Sequence, residues 1–393
     1  MVYKTCNFLK NMVKYKCMKF SNEGENKMSE IKNNIITISG EPASGKSTVV
    51  RILKEKYEKL GYTVHIVTTG HIFRDRVKCE YQKMYPDKED INLADIQEDE
   101  AFAGKRAEID TTIDEGVREL GEKINSEEHP NDVYIIDSRL AWHNIPGAYA
   151  VRLTVDEKIA GKRVFGDKSR GKEDSYATEQ EAIEKTTQRK LGEIERYKKR
   201  YGLDIADPKN YNLIIDTSYS NSEELADIIV DGGKAYLEGT YYPKTWASPA
   251  RFLSIQIGRY MRSQTIRDYI EKFQTEGYDP KIATVDVAEQ DGVKYLIDGN
   301  HRTMAALSIG KSLIPYDCIF VNDGTSKMAK EEVYTDMTME RIYDWKEEIE
   351  YYGGEVGKIK QLEKLNVLDL PGVEEIPIAR KLLKLDEQGE DGR

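Results

Sequence analysis

Eight consecutive residues, 40–47, have the types and spacing needed to bind a triphosphate, because they match the pattern G-x-x-x-x-G-K-[ST] in full. A short β-branched stretch, 35–39, precedes them, and apolar residues at helical spacing follow over 48–60. Glycines allow backbone N–H groups to converge on phosphate, and the helix N-terminus adds partial positive charge. Lys46 would reach the β- and γ-phosphates, while the Ser47 hydroxyl would bind Mg²⁺. The predicted ATP-binding residues are Gly40, Glu41, Pro42, Ala43, Ser44, Gly45, Lys46, Ser47 and Thr48.

Short apolar stretches that alternate with helical patterns predict an α/β fold with a parallel sheet covered on both faces. The predicted strands are 35–39, 62–69, 132–137, 148–155 and 211–218, and the region closes with a helix over 222–237. Ligands of such sheets bind at the carboxyl ends of the strands. The glycine loop, Thr69 and Asp137 all lie at such ends.

A basic helical region lies between the fourth and fifth predicted strands. Arg163 and Arg170 belong to a glycine-containing stretch, and a long helix is predicted over 178–201. Arg189 and Arg196 are seven residues apart and therefore share a face of that helix. Any one of these cations could simply form a solvated surface, but phosphoryl transfer needs cations that close over the transferring group.

Size and charge exclude several classes of protein. The chain has 393 residues and a net charge of −11, so a nucleic-acid partner held on a broad basic surface is not expected. The apolar runs are strand-sized, which predicts no membrane span. Four scattered cysteines indicate reduced thiols in a cytoplasmic protein. Residues 1–33, which are Lys-rich and lack a clear pattern, are predicted to be a disordered basic extension.

In several ordered blocks the chain resembles the cytidylate kinases, particularly the compact archaeal type. The blocks are Ile38–Thr48, Thr69–Arg74, Ile109–Asp114, Ile136–Trp142, Arg189 with Arg196-Tyr197, Tyr201–Asp207 and Asn212–Thr217. The resemblance covers roughly residues 34–235 and implies a nucleoside monophosphate kinase fold with a helical insertion and a lid over 34–238.

The resemblance also implies roles for individual residues. Lys46 would act in catalysis with a clamp of arginines: Arg163, Arg170, Arg189 and Arg196. The acceptor nucleotide would be held by side chains of the insertion and the strand ends: Arg74, Asp110, Asp114 and Arg139. Ser47 and Asp137 would hold the magnesium ion and its waters. No general base with a special pKa is required, because positioning and charge neutralisation do most of the work.

Two departures from the family pattern lie where the acceptor base would be recognised. Ser138 stands where the family usually has glycine, and Trp142 follows Ala141 directly where the family usually has an intervening glycine. The acceptor could therefore be CMP, dCMP or another small molecule. Two alternatives stay open: a kinase of another small metabolite, and a nucleotide-gated sensor in which turnover is incidental.

Turn-forming residues over 239–243 indicate that a second unit follows, predicted over 245–325. A helix over 248–276, strands over 283–287, 294–298 and 316–321, and a helix from Asn300 to Ile309 are predicted. The segment 297–307 resembles the ParB/sulfiredoxin fold, which implies a small α+β domain that could bind a second nucleotide. The residues carrying this resemblance are Asp298, Gly299, Asn300, His301 and Arg302. Residues 326–393 are predicted to be a charged helical extension.

Overall fold

The computed structural model describes residues 33–88, 96, 99–166, 176–254, 263–290 and 293–322. The predicted N-terminal extension apart from Asn33, the predicted C-terminal extension, and Arg170 lie outside the described residues. The same holds for 255–262, in the middle of the long helix predicted in the second unit.

Ten strands of the described residues form one mixed sheet. They are β1 (Asn34–Gly40), β2 (Thr63–Thr68), β3 (Asp132–Asp137), β4 (Tyr149–Thr154), β5 (Leu213–Asp216), β6 (Thr245–Ala247), β7 (Phe252–Ser254), β8 (Val285–Gln290), β9 (Val293–Asp298) and β10 (Ile314–Asn322). Their order across the sheet is β2-β3-β1-β4-β5-β6-β10-β8-β9-β7.

The first five strands are all parallel, with β1 in the centre. Ile36 of β1 pairs with Ile135 of β3, and Ile38 pairs with Val151 of β4. The carboxyl ends of β1, β3 and β4 therefore meet along one edge, where ligands of parallel sheets bind. This arrangement confirms the predicted α/β fold with a mostly parallel sheet.

Seven helices accompany these strands in the described part of the chain. They are α1 (Lys46–Lys59), α2 (Thr69–Met84), α3 (Ala103–Ile124), α4 (Ala141–Asn144), α5 (Glu157–Gly166), α6 (Glu179–Tyr201) and α7 (Ser222–Glu238). Local signals fix their ends. At the start of α6, the Thr178 hydroxyl accepts a hydrogen bond from the Glu181 N–H, and Gly202 ends the helix with φ 68°.

The sheet has an apolar core on each face. On one face the buried residues Leu53 of α1 and Ile229 of α7 pack against β1, β3, β4 and β5. On the other face Leu120 of α3 and Ile145 pack against Ile35 and neighbouring apolar side chains. These two layers hold the loop after β1 at a fixed place between α1 and the sheet.

The predicted helical insertion has a small core of its own. Val77 and Tyr81 of α2 pack with Phe102 and Ile109, and Ile96 is buried in the same cluster. The carboxyl-terminal half of α3 belongs instead to the main core. The insertion is therefore anchored to the sheet through α3.

The sheet continues across the predicted boundary at 239–243. Ile215 of β5 pairs in parallel with Trp246 of β6, and Ala247 of β6 pairs with Ile314 of β10 in the antiparallel sense. Trp246 and Leu313 are buried in the same core as α1 and α7. The division into two units stays a prediction, and the continuous sheet is a feature that the sequence did not reveal.

The helix predicted from Ser248 to Glu276 is wrong in its first part. Residues Pro249–Arg251 form a 3-10 turn and Phe252–Ser254 form β7, which pairs in parallel with β9. Pairing with a strand some 40 residues later decides this structure, and a local apolar pattern carries no trace of it. The helices in this region are α8 (Ser263–Thr275), α9 (Pro280–Ala283) and α10 (Asn300–Ser308).

The predicted α10 and the strand over 316–321 are confirmed, with β10 longer than expected. Within the described ranges, no helix is both long and apolar enough to cross a lipid bilayer.

Candidate phosphotransfer site

The loop between β1 and α1 forms a tight turn whose backbone is held close to the sheet. Ala43 and Gly45 both have positive φ, 60° and 80°, and the Glu41 N–H donates to the Leu153 carbonyl at 3.0 Å. A Cβ on Gly40 would lie 2.7 Å from the Ser44 Oγ and 3.0 Å from the Leu153 oxygen. Position 40 therefore requires glycine, as the sequence pattern predicts.

Two hydroxyl groups beside this loop are buried without a hydrogen-bond partner among the described residues. The Ser39 Oγ and the Ser44 Oγ make no hydrogen bond within the described part of the chain. Buried polar groups normally have partners, because leaving one unpaired costs about 1–3 kcal/mol. Each of these two hydroxyl groups can therefore still donate one hydrogen bond at the glycine loop.

Lys46 is the first residue of α1, and its ammonium folds back to the loop. Its Nζ donates to the Gly40 carbonyl at 3.0 Å. Burial, together with the Arg139 guanidinium, lowers the pKa of Lys46 to about 7, although Asp137 and Glu193 oppose this shift. The ammonium therefore lies in a crowded cationic site, where a polyphosphate would restore its charge.

The residues predicted to bind magnesium lie at the loop and at the end of the neighbouring strand. Ser47 is exposed at the start of α1, and Asp137 ends β3, where its backbone carbonyl accepts a hydrogen bond from the Thr69 hydroxyl at 3.2 Å. A hydroxyl and a carboxylate are the oxygen donors that Mg²⁺ prefers. No group of three or more His, Cys, Asp or Glu side chains in the described ranges could hold a metal ion. The donor set thus fits an ion that is also held by phosphate oxygens and water.

Two of the predicted cations are joined by an acidic residue of α6. Glu193 accepts from the Arg139 Nε at 2.9 Å and from the Arg139 Nη2 at 3.3 Å. Its Oε1 also lies 3.5 Å from the Arg189 Nε. Burial alone would raise the pKa of Glu193. The nearby Arg139 and Arg189 outweigh this effect and hold the pKa below its usual range. The carboxylate is therefore ionised, holds Arg139 by two hydrogen bonds and attracts the half-exposed Arg189.

Arg163 of α5 reaches the phosphate loop itself. Its Nη1 donates to the Ala43 carbonyl at 3.1 Å and to the Thr217 hydroxyl at 3.3 Å. Its Nη2 donates to the carbonyls of Thr217 and Ser218. The guanidinium thus ties the helix α5 and the end of β5 to the loop.

The remaining predicted clamp residue faces a different neighbour. Arg196 is exposed on α6, with its guanidinium carbon 5.3 Å from the ring centre of Tyr197. Its charge acts on the pKa of Asp110 in the insertion, where it opposes the increase caused by burial. The structure therefore places Arg163, Arg139 and Arg189 around the loop and Arg196 on the insertion side.

Known proteins are similar to this region. The cytidylate kinase-like family matches residues 35–219. The cytidylate kinase of Methanosarcina barkeri is 30% identical over 197 residues, which is 49% of this chain and 93% of that kinase. The chain belongs to the cytidylate kinase-like family. The cytidylate kinase of Sulfolobus acidocaldarius is 33% identical over 198 residues, which is 50% of this chain and 91% of that enzyme.

A relative with a different activity matches the same half of the chain. The S-adenosylmethionine-dependent nucleotide dehydratase of Lacinutrix mariniflava is 30% identical over 198 residues, covering 50% of this chain but only 35% of that protein. The cytidylate kinase-like region thus also has similarity to part of a longer nucleotide-processing protein.

The acidic residues predicted to hold the acceptor already join the insertion to α6. Asp110 accepts from the Arg200 Nη1 at 3.0 Å, and Asp114 accepts from the Tyr201 hydroxyl at 2.7 Å. Burial raises the pKa of both carboxyl groups. In this member of the cytidylate kinase-like family, the two aspartates dock α3 against the end of α6.

Arg74, the other predicted acceptor residue in the insertion, lies on α2. Its Nη2 is 3.1 Å from the His71 Nδ1 at an exposed position. Arg139, at the end of β3, is held by Glu193 and only partly exposed. Arg139 thus follows the end of β3, whereas Arg74 lies within the helix that follows β2. The role of both arginines in acceptor binding stays a prediction.

A charged cluster that has no signal in the sequence lies beneath the loop of this cytidylate kinase-like region. Glu41 pairs with the Arg152 Nη2 at 3.3 Å and with the Lys190 Nζ at 3.3 Å, and it also accepts from the Val155 N–H at 3.2 Å. Arg152 in turn donates to the Ile205 carbonyl. Glu41 and Arg152 are buried, so Glu41 joins the phosphate loop, β4 and α6 in one ion-pair network.

The predicted ligand residues of the second unit lie together at the start of α10. Gly299 has φ 105°, and a Cβ there would come within 2.5 Å of Val285. The Arg302 Nη2 donates to Asp298 at 2.7 Å, and its Nη1 donates to the Thr284 carbonyl. Asn300 is buried and His301 is partly exposed. The relation to the ParB/sulfiredoxin fold and the ligand role of these residues stay predictions.

Proposed function

We propose that this chain is an ATP-dependent phosphotransferase that acts on a nucleoside monophosphate, with CMP or dCMP as the first candidates. The observation that carries the proposal is the crowding of cations at the phosphate loop. The Lys46 ammonium has the guanidinium groups of Arg139 and Arg189 as its cationic neighbours, and Arg163 reaches the loop at Ala43. Such a site is suited to a ligand that carries several negative charges.

In the proposed reaction, an acceptor phosphate oxygen forms a bond to the γ-phosphorus of ATP. The bond from that phosphorus to the bridging oxygen of the β-phosphate breaks, and ADP leaves. Mg²⁺, with Ser47 and Asp137 as candidate ligands, would neutralise phosphate charge when bound. Lys46 would stabilise the transferring group, while Arg139 and Arg189 orient the acceptor and neutralise the developing charge.

The acceptor preference is proposed to depend on the end of β3. Ser138 is buried, its N–H donates to the Ile38 carbonyl at 3.2 Å, and the Trp142 Nε1 donates to the Arg139 carbonyl at 3.0 Å. Trp142 therefore restrains the backbone of Arg139. The hydroxyl of Ser138, in place of the glycine usual in the family, adds a polar group at this restrained turn.

An acceptor screen tests the proposal directly. ADP formation with Mg·ATP is measured for wild type and for Lys46→Ala across ribo- and deoxynucleoside monophosphates and other phosphorylatable metabolites. We expect one nucleoside monophosphate to stimulate turnover in wild type and no stimulation in Lys46→Ala, with both proteins equally folded by circular dichroism. An acceptor that is not a nucleotide would indicate a metabolite kinase. Tight ATP binding without any acceptor turnover would indicate a nucleotide-gated sensor.

The same screen with Ser138→Gly tests the acceptor preference. If the position contributes to base recognition, the ratio of kcat/KM between two nucleoside monophosphates should change by severalfold. An unchanged ratio would show that the acceptor base is selected elsewhere.

A further inference from the structure

Arg251 lies beyond the region that matches the cytidylate kinase-like family, in the 3-10 turn between β6 and β7. Its guanidinium forms two ion pairs with that region. The Nη1 donates to Asp156 at 2.9 Å, and the Nε donates to Asp216 at 3.1 Å. The Arg251 side chain is 20% exposed and that of Asp216 is 8% exposed, so the second pair is largely buried.

Both aspartates sit where a strand of the kinase sheet ends. Asp156 follows β4 and caps α5, because its Oδ1 accepts from the N–H groups of Lys158 and Ile159 at 2.9 and 3.3 Å. Asp216 is the last residue of β5, and its Oδ1 accepts from the Ser218 N–H at 2.9 Å. One guanidinium therefore fixes the start of α5 relative to the turn after β5.

Helix α5 and the turn after β5 also position Arg163, one through its backbone and the other through its guanidinium. The backbone of Arg163 belongs to α5, which Asp156 caps. Its guanidinium is bound by Thr217 and Ser218, in the turn that Asp216 orders. From there the Arg163 Nη1 reaches the Ala43 carbonyl of the phosphate loop at 3.1 Å. A continuous set of hydrogen bonds thus runs from Arg251 through two aspartates to Arg163 and the loop.

We propose that Arg251 is a positioning residue of the nucleotide site, supplied by the sequence that follows the kinase-like region. It holds α5 and the turn after β5 at the separation that allows Arg163 to contact the phosphate loop. This inference rests on the proposed function only in that the loop must bind Mg·ATP. It does not depend on which acceptor is phosphorylated.

The charges around Arg251 fit this role. Burial alone would raise the pKa of Asp216, but Arg251 and Lys294 hold it below its usual range. Without Arg251, the buried Asp216 carboxylate would keep hydrogen bonds from Ser218 and lose its ion pair. A buried charge without its partner favours rearrangement of the surrounding turn. The Thr217 and Ser218 carbonyls that bind Arg163 belong to that turn.

The competing interpretation is that Arg251 only fastens the second unit to the first. A purely structural residue would change stability without changing how Arg163 contributes to nucleotide binding. The two interpretations differ in the coupling between positions 251 and 163, which a double-mutant cycle measures.

The cycle consists of wild type, Arg251→Met, Arg163→Met and the double variant, with the Kd of Mg·ATP measured by calorimetry on the full chain. Arg267→Met, at an exposed arginine of α8, is the matched control. We expect Arg251→Met to weaken Mg·ATP binding at least about threefold in wild type and much less in the Arg163→Met background. Arg251→Lys should recover part of the loss, and the control should bind as wild type does.

Two results would overturn the inference: equal effects of Arg251→Met in the two backgrounds, or a lowered Tm with an unchanged Kd. If Arg251→Met does not fold, Arg251→Lys replaces it in the cycle, with the same two criteria. Absence of acceptor phosphorylation with intact Mg·ATP binding would refute the proposed function and leave this test valid. Absence of Mg·ATP binding by wild type would refute both.

Discussion

Glu193 of α6 holds Arg139 at the end of β3 through two hydrogen bonds, Nε to Oε2 at 2.9 Å and Nη2 to Oε1 at 3.3 Å. This two-point contact fixes the plane of the guanidinium and occupies one of its edges. The Nη1 makes no part of this contact. Glu193 also sets the charge around Lys46, because its carboxylate opposes the lowering of the Lys46 pKa.

Replacing Glu193 by glutamine should change the pH range over which the site binds nucleotide. Glu193→Gln removes a negative charge near Lys46, so the pKa of Lys46 should fall below about 7. Because Mg·ATP binding favours the charged ammonium, its affinity should begin to decline at a lower pH than in wild type. Calorimetry from pH 6 to 9 measures this onset. Glu195→Gln, at an exposed position on the same helix, should keep the wild-type onset, and an unshifted Glu193→Gln curve would contradict the prediction.

Replacing Lys46 by methionine should abolish the proposed phosphate transfer and stabilise the fold near neutral pH. The pKa of Lys46 in the folded chain, about 7, lies below the ordinary lysine value of 10.5, so between these values the unfolded chain binds more protons than the folded one. Stability of wild type should therefore rise with pH across this window. Lys46→Met lacks this dependence, so its Tm should exceed that of wild type by at least about 2 °C at pH 7.

The difference in Tm between Lys46→Met and wild type should decrease as the pH approaches 10.5. Lys59→Met, an exposed lysine at the other end of α1, should show no such pH-dependent difference. A constant offset between Lys46→Met and wild type from pH 7 to 10 would show that Lys46 is not destabilised in the folded chain.

Replacing Gly161 of α5 by alanine should separate α5 from α6. A Cβ at this position would lie 2.3 Å from the Ile183 Cγ1 and 2.7 Å from the Ile183 Cα, and a backbone atom cannot give way without moving the helix. We expect a loss of about 1–3 kcal/mol in the free energy of unfolding, measured with urea. Gly166→Ala on the same helix, where a Cβ meets no atom of the described residues within 4 Å, should be neutral or stabilising. Equal effects at the two positions would contradict the packing argument.

Replacing Tyr201 by phenylalanine should weaken the docking of the insertion on α6. The Tyr201 hydroxyl donates to Asp114 at 2.7 Å, and burial raises the pKa of that carboxyl group while the hydrogen bond lowers it. Removing the donor should cost about 1–2 kcal/mol and raise the pKa of Asp114 further. Urea unfolding at pH 7 measures the cost. Tyr241→Phe, whose residue is 59% exposed, is the control and should leave stability unchanged.

Local sequence patterns were sufficient to predict most of the kinase-like fold. The glycine loop, the central strands and α6 each have a strong signal over a few consecutive residues, and the structure has them close to the expected bounds. The three-residue strand β6 has no such signal. It is defined by hydrogen bonds to β5 and β10, which lie about 30 and 70 residues away in sequence.

The candidate site could be predicted where its residues belong to one local motif. It could not be predicted where it depends on ion pairs between residues that are far apart in sequence. Lys46 and Ser47 follow from the glycine loop alone. In the sequence, Glu193 cannot be distinguished from the other charged residues of a solvent-exposed helix. Its partner Arg139 is 54 residues away, and the two meet only because α6 packs near the end of β3. The buried ion pair between Glu41 and Arg152 could not be predicted either, because its two residues are 111 positions apart and share no local pattern.

The position of β6 also bears on how the protein is made. A ribosome releases the five parallel strands well before β10, so β6 has only one of its two neighbours during that interval. The free edge of β6 then exposes unpaired backbone groups that other nascent chains could join. Pairing between segments so far apart in sequence is slow, because the intervening chain must first close a long loop. Completion of the sheet at Ile314 should therefore be a late step of folding, and the step most exposed to aggregation.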